Sequence, residues 1–373
     1  MDRISNLFGS RLTAQHSAGT ASSSVTERGG GSVSLHRPDA IAARPPRSAQ
    51  QLQRERSIFS RITSRQAPEL TPFDAELLRW KSEAPSGEAS ARARAFARVK
   101  KVIKEDGYIL TLSGMGLSSL PPLPRELQYL DADHNRLTQL PELPYYLIEL
   151  HFHHNQLTEL PALPAHLMVV EADHNQLTHL PALPNSLTKL LVSSNQLTEL
   201  PTLLPRNLTD INAMDNRLSA VPELPGSLYD LCLKDNRLTE LPELPPDLCN
   251  LAVGNNQLTH VPTLPQGLRM LGLSDNRLTE LPRLPPVLTL LAARRNQLRA
   301  LPGLLPRGLQ RLYIDGNQIS EMPETLPPGM THFEAHNNPT THLPALPRRP
   351  AQVYIETRLD FSGITHSVHT SAD

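Results

Sequence analysis

An α/β-type repeat solenoid, with short parallel strands on a concave face, is the fold class this sequence predicts. Asparagines recur at Asn135, Asn155, Asn175, Asn195, Asn216, Asn236, Asn256, Asn276, Asn296, Asn317 and Asn338, a step of 20 residues that becomes 21 three times. Each step repeats one frame, L-x-x-L-x-[apolar]-x-x-N-x-L-T-x-L-P-x-L-P, as in Leu127 to Pro144, and a variant with Met115 in the Asn slot opens the series. A fixed period of this kind marks units that cannot bury an apolar face alone and must stack. Composition agrees: Pro is 36 of 373 residues against 1 Trp, 7 Tyr and 7 Phe, so an ordinary aromatic-anchored core is not on offer.

The elements follow in chain order. Residues 1–68 hold ten Arg, no Lys and four acidic side chains (Asp2, Glu27, Asp39 and Glu55). They are rich in Ser, Gly and Pro and too poor in apolar groups to offset the entropy of ordering, which reads as a disordered export or targeting segment. Ile4, Leu7, Phe8 and Leu12 would share one face if that segment turned helical on a receptor or secretion chaperone. Ser- and Arg-rich composition also describes a transit peptide, and a passive tail is the plain alternative.

Residues 69–106 form the expected helical N-terminal cap. Thr71-Pro72 is a helix start, with Phe73, Leu77 and Trp80 on one face. Ser86 caps a second run to Glu105, with Ala89, Phe96, Val99 and Ile103 inside, a solvated basic face of Arg92, Arg94, Arg98, Lys100, Lys101 and Lys104 outside, and Gly107 as its stop.

Residues 107–350 carry the repeats. Leu130 and Ala132 alternate inward on a short strand while Tyr129, Asp131 and Asp133 point out, so stacked copies make one parallel sheet. Both donors and the acceptor of each Asn amide can satisfy backbone groups of the turn that leaves the strand, giving a ladder along the array. Two prolines in L-P-x-L-P remove donors and fix φ, so the return path is an extended polyproline II arm rather than a helix. A sheet inside and a thin arm outside make the leucine-rich repeat horseshoe. Val353, Tyr354 and Ile355 read as a closing strand within residues 351–373, before a polar tail.

Most function classes are excluded early. A net charge of −1 argues against a nucleic-acid binder working through bulk positive charge, and no stretch reaches the ~18 apolar residues of a membrane span. No phosphate-binding loop, nucleophile elbow or H-E-x-x-H occurs, so no catalytic residue and no cofactor is expected. Cys232 and Cys249 are too few for a disulfide framework. What remains is docking on outward strand positions. Near the N-terminal end these include Tyr129, Asp131, Asp133, Glu149, His151, His153, Glu171 and Asp173; toward the C-terminal end Met270, Leu290, Ala292, Arg294, Arg295, Arg311 and Tyr313. An acidic, His-bearing start and an apolar, basic end would orient a partner. His134, His154 and His174 occupy one slot in successive repeats and raise a shared metal or a pH-sensitive docking patch; duplication of a D-x-D-H-N unit explains them as ordinary surface histidines, and no metal is expected.

Trp80, the helical cap, the opening Leu117-Ser118-Ser119-Leu120-Pro121 and the L-P-x-L-P repeats closely resemble the type III-secreted bacterial leucine-rich repeat effectors, the YopM and IpaH-like family, over about residues 69–360. The resemblance implies delivery into a host cell, cytoplasm or nucleus, and a repeat domain that binds a host protein. Some members of the family carry a C-terminal E3 ubiquitin ligase domain with a Cys-x-Asp nucleophile. With Asp373 as the last residue no such domain is expected, and Cys232-Leu233-Lys234 and Cys249-Asn250-Leu251 both depart from that motif. A noncatalytic protein-binding scaffold is therefore the expected function; the alternative is the substrate-recognition part of a ligase whose catalytic domain is missing or on a separate chain.

Overall fold

A computed structural model describes residues 70–340 and 344–345 and the backbone of 354–356. The expected export segment, Val353 and the polar tail lie outside the described residues. The chain divides between Glu76 and Leu77 into two units.

Residues 70–76 belong to the first unit. Helix α1 (Pro72–Ser82) starts there as the sequence predicts. The Thr71 hydroxyl oxygen accepts the Asp74 amide at 3.1 Å and donates to the Asp74 carboxylate at 2.9 Å, while Pro72 occupies the first helical position, where no N–H is needed.

In the second unit helix α2 (Ala89–Lys104) departs from expectation at both ends and on its faces. Ser86 does not cap it: Ser86 and Gly87 form a turn, with Gly87 at φ +89°, and the helix begins after Glu88 without a side-chain cap. At the other end the left-handed residue is Asp106, and the following Gly107 N–H closes onto the Val102 carbonyl at 2.8 Å. The buried face is Ala91, Arg92, Ala95 and Val99, whereas Ile103 is exposed and Phe96 only half-buried beneath the Lys81 ammonium. Small residues on that face let the helix lie close against the first strand.

Arg92 is thus no solvated side chain. Its guanidinium stacks on Trp80 at 4.7 Å and donates to the Trp80 and Glu83 carbonyls and the Ser119 hydroxyl. Trp80 Nε1 donates to the same hydroxyl at 3.1 Å, and Glu88 accepts the Ser118 amide. Each nitrogen of this buried cation is engaged, and it ties Trp80 and helix α2 to the opening repeat.

Among the described residues thirteen strands of three residues each follow, β1 (Ile109–Thr111) to β13 (Tyr354–Glu356), in one parallel sheet whose spatial order is the chain order. Their register keeps one apolar column in line: Leu110 faces Leu130, Leu130 faces Leu150, Leu150 faces Val170, and so on to Leu312 and Phe333, all of them buried. The next inward column is Leu112, Ala132, Phe152, Ala172 and Val192, so one large ring sits between two alanines.

The asparagine ladder is present in every repeat from Asn135 to Asn338. Asn155 shows the pattern. Its Oδ1 accepts the Leu137 amide of the preceding repeat at 3.0 Å, and its Nδ2 donates to the carbonyls of Ala132, Phe152 and His153 at 3.0, 3.1 and 3.2 Å. Each asparagine therefore joins two repeats. The residue just before it is left-handed each time, from Gly114 at φ +66° through His134, Ser194, Asp235 and Arg295 to Asn337. Gly, Asn, Asp and His fill most of these positions because they reach that region at least cost.

Between strands the chain runs without helix, turning once per repeat through a Pro carbonyl that accepts a Leu amide three residues on, as Pro144 does from Leu147 at 3.1 Å. The longer repeats place their extra residue on this arm. Leu203 and Leu304, 85% and 90% exposed, bulge outward, and the strands on either side stay in register, Leu190 with Ile211 and Leu291 with Leu312. Thr325 holds the matching position in the third longer repeat.

Candidate functional site

Alternation along each three-residue strand sends its first and third side chains, and the residue two further on, to the face opposite the leucine column. Parallel pairing then stacks these side chains in rows. Asp131 faces His151 and His151 faces Glu171; at the far end Met270 faces Leu290, Leu290 faces Arg311, and Ala292 faces Tyr313.

The two ends differ, and not as the side-chain types alone predict. Met270, Leu290, Ala292 and Tyr313, expected as an apolar docking cluster, are all under 9% exposed. Neighbouring strands about 4.8 Å apart cover one another's flat apolar side chains, so their area is spent within the sheet. The basic character expected there is also matched internally. Arg294 stacks over Tyr313 at 4.5 Å, its Nε lies 2.9 Å from the Asp315 carboxylate, and its Nη2 reaches Glu334 two strands away. Arg295 pairs with Asp275 and remains half-exposed, and Arg311 is half-buried. At this end the apolar side chains are covered and Arg294 is held by Tyr313, Asp315 and Glu334, while Arg295 and Arg311 keep accessible surface.

At the N-terminal end the expected residues do gather. Tyr129 lies 4.9 Å from the His151 ring, and burial together with Asp131 and Glu149 pushes its hydroxyl up to about 12. His151 Nδ1 sits 2.8 Å from Glu171 Oε2, and His153 Nε2 sits 3.0 Å from the same oxygen. Asp133 and Asp173 flank His153, and Glu149 flanks His151.

Charge states follow from this crowding. Burial works to lower the pKa of His153, but its bonds to Asp173 and Glu171 outweigh it and raise the pKa to about 10. His151 is raised for the same reason, with Glu171 as its main partner. Burial works to raise Glu171, yet the two imidazoles hold it well below the usual carboxylate range. Asp133 moves up, because burial exceeds the attraction of His153.

A pH signature follows. A histidine whose pKa is raised on folding contributes stability that is complete below its unfolded value, 6.5, and lost as pH climbs through about 10. Glu171, depressed from 4.5, contributes stability that is present above that value and lost as pH falls. In chelator-treated protein the difference in unfolding temperature between the native chain and His153→Gln should be largest near pH 6 and shrink toward pH 10. A constant difference across that range would contradict the ion-pair assignment.

His134, His154 and His174 form a separate file. Their rings pack at 4.5 and 4.3 Å, the second pair stacked at 9°. They occupy the left-handed position before each ladder asparagine, a structural reason for histidine there. Burial and the two neighbouring rings keep His154 below its ordinary value. What the column reading missed was the convergence of His153, Asp133 and Asp173 on His151 and Glu171. The legible signal was the two-residue step from His151 to His153, which puts both on one face.

Both cysteines are buried and free. Burial pushes the Cys232 thiol up to about 11, the opposite of what a nucleophile needs. Among the described residues no helix is long and apolar enough to cross a membrane.

No family model matches the chain. Among solved structures it is similar to YopM from Yersinia enterocolitica, with 34% identity and a TM-score of 0.63 over 76% of this chain and 72% of that one. It is similar as well to YopM from Yersinia pestis, a leucine-rich effector protein, with 31% identity and a TM-score of 0.55 over 75% of this chain and 98% of that one. Among curated proteins it matches the Yersinia pestis outer membrane protein YopM with 39% identity over 59 residues, 14% of that protein's length. The repeats, the sheet and these likenesses together show that the chain belongs to the bacterial leucine-rich repeat effector family that includes YopM.

Proposed function

We propose that the chain is a noncatalytic, secreted effector scaffold that acts inside a host cell, in cytoplasm or nucleus, by docking a host protein on the exposed face of its sheet. The observation that carries this reading is the sheet itself. Thirteen parallel strands in unbroken sequence order present rows of outward side chains that the leucine core and the asparagine ladder do not use. The accessible polar end, with Tyr129, Asp131 and Glu149, steers encounter, and Arg295 and Arg311 supply contacts at the other end. Residues 1–68 carry the export address and its chaperone contact.

Affinity capture from host lysate with three baits tests the docking face: the native chain, a sheet-face variant (Tyr129→Ala with Arg311→Ala) and an outer-arm variant (Leu203→Ala with Leu304→Ala). A protein held by the first and third and released at least about tenfold faster from the second is the expected outcome. Asp131→Asn with Glu149→Gln should slow association, and only at low salt. Loss of the partner from the outer-arm variant alone would place docking on the other side of the molecule.

A further inference from the structure

The His151–Phe152–His153 step places two imidazoles over one carboxylate. His151 and His153 leave the strand on the same face, and register sets Glu171 directly beside His151. The donor atoms of the three side chains all lie within 4.8 Å of one another. Four-coordinate zinc holds nitrogen and oxygen ligands at about 2.0–2.2 Å, so its donors stand about 3.3 Å apart. The observed separations of 2.8 Å and 3.0 Å from Glu171 Oε2 need to open by only a few tenths of an ångström.

The far side of each ring strengthens the case. His151 turns its other nitrogen, Nε2, to Glu149 at 3.4 Å, and His153 turns Nδ1 to Asp173 at 3.3 Å. Asp173 is itself held, accepting the Ser193 amide at 2.6 Å and the Ser193 hydroxyl at 2.5 Å. In metal sites the remote nitrogen of a ligand histidine almost always donates to a carboxylate, a backbone carbonyl or water, which orients the ring and fixes its tautomer. Both histidines have a carboxylate there. Asp133 adds a fourth oxygen 3.6 Å from His153 Nε2, positioned by its own bond from the His153 amide.

Duplication does not account for the arrangement. The same two columns hold Asp131 and Asp133 one repeat earlier, Leu191 and Ser193 two repeats later, and paired histidines only here. Ion pairing of two protonated rings, each with an N–H on either side, accounts for a carboxylate at every nitrogen; what it does not require is that both rings converge on one oxygen, Glu171 Oε2.

We propose that His151 Nδ1, His153 Nε2 and the Glu171 carboxylate bind a divalent transition-metal cation of the zinc class, with Asp133 at the fourth position. Two imidazoles and carboxylates suit zinc; calcium and magnesium take all-oxygen sets. The ion ties three successive repeats together on the sheet face, and this holds whether or not a host protein docks there.

Calorimetric titration of zinc chloride into the tag-free, chelator-stripped full chain is the test. About one equivalent should bind with a micromolar or tighter dissociation constant, releasing to buffer the protons that the two imidazoles carry in the metal-free chain, and zinc should raise the unfolding temperature. His153→Gln and Glu171→Gln should each weaken binding by at least about 100-fold, and Asp173→Asn by about 10–100-fold. His154→Gln should leave it unchanged, and calcium and magnesium should produce no saturable heat. Circular dichroism of each variant checks that it is folded. Cobalt(II) added to the unaltered chain gives a readout without mutation: intense visible bands of tetrahedral geometry are expected. Absence of saturable zinc binding, unchanged affinity in folded His153→Gln and Glu171→Gln, a pale octahedral cobalt spectrum, or equal loss in His154→Gln would each overturn the site; the last would assign the metal to the stacked file instead.

Discussion

Replacing Phe152 with Ala should lower the unfolding free energy by about 3–5 kcal/mol, the top of the range for truncating a buried side chain. Phe152 is fully buried and fills a position that its neighbours, Ala132 and Ala172, leave small. Those alanines and the strands carrying them are set by pairing on both sides, so the walls cannot close on the space the ring leaves. Truncation then costs the transfer free energy of the ring and an unfilled cavity as well. Urea denaturation measures the change, and hydrogen exchange locates it: amides of β2 to β4 should lose protection before those of β8 to β10, because a solenoid couples chiefly to nearest neighbours. A loss below about 1 kcal/mol would mean that the site collapses and that the repeats are softer than their packing implies.

The second large effect is on the ladder. Asn256→Ala should cost about 1–3 kcal/mol although it removes no apolar area. The side chain is buried; its Oδ1 accepts the Leu238 amide at 2.9 Å, and its Nδ2 donates to the carbonyls of Leu233, Val253 and Gly254. Alanine leaves those backbone groups without a partner in a place water does not reach easily. Asn255 next to it makes a fair control only if its backbone is respected. At φ +52° it should accept Gly with little change, losing only an exposed bond to Asp235, whereas Ala there adds strain of its own and Asp would face the Asp235 carboxylate. Equal midpoint shifts for Asn256→Ala and Asn255→Gly would remove the ladder from the list of stabilising features.

The architecture was legible because period and chemistry agree. A leucine at fixed spacing, an amide where a turn needs both donor and acceptor, and prolines where the chain must not be helical each act within one repeat or between adjacent ones. Arg92 was not legible in the same way. Its position on a helix reads as solvent-facing, and only the approach of Trp80 and Ser119, 12 residues before it and 27 after it, turns it into a buried hub. The outward face of the sheet was legible as columns but not as a map of what stays accessible. Which member of a column is covered depends on how far its neighbours lean: Tyr313 disappears under Arg294, and Arg294 is claimed by Glu334 40 residues on. His151 and Glu171 were visible as candidates, while the role of His153, Asp133 and Asp173 needed the register that brings three strands to one point.

The extra residue at Leu203 and Leu304 carries a consequence for how such a chain can change over generations. Length variation is confined to a seam that no strand shares, so insertion or loss of a residue there leaves the face in phase on both sides. Whole repeats can enter or leave by recombination at the same seam, since every junction presents the same leucines and the same amide to its neighbour. The inner rows are then free to diverge one residue at a time while the scaffold beneath them stays interchangeable.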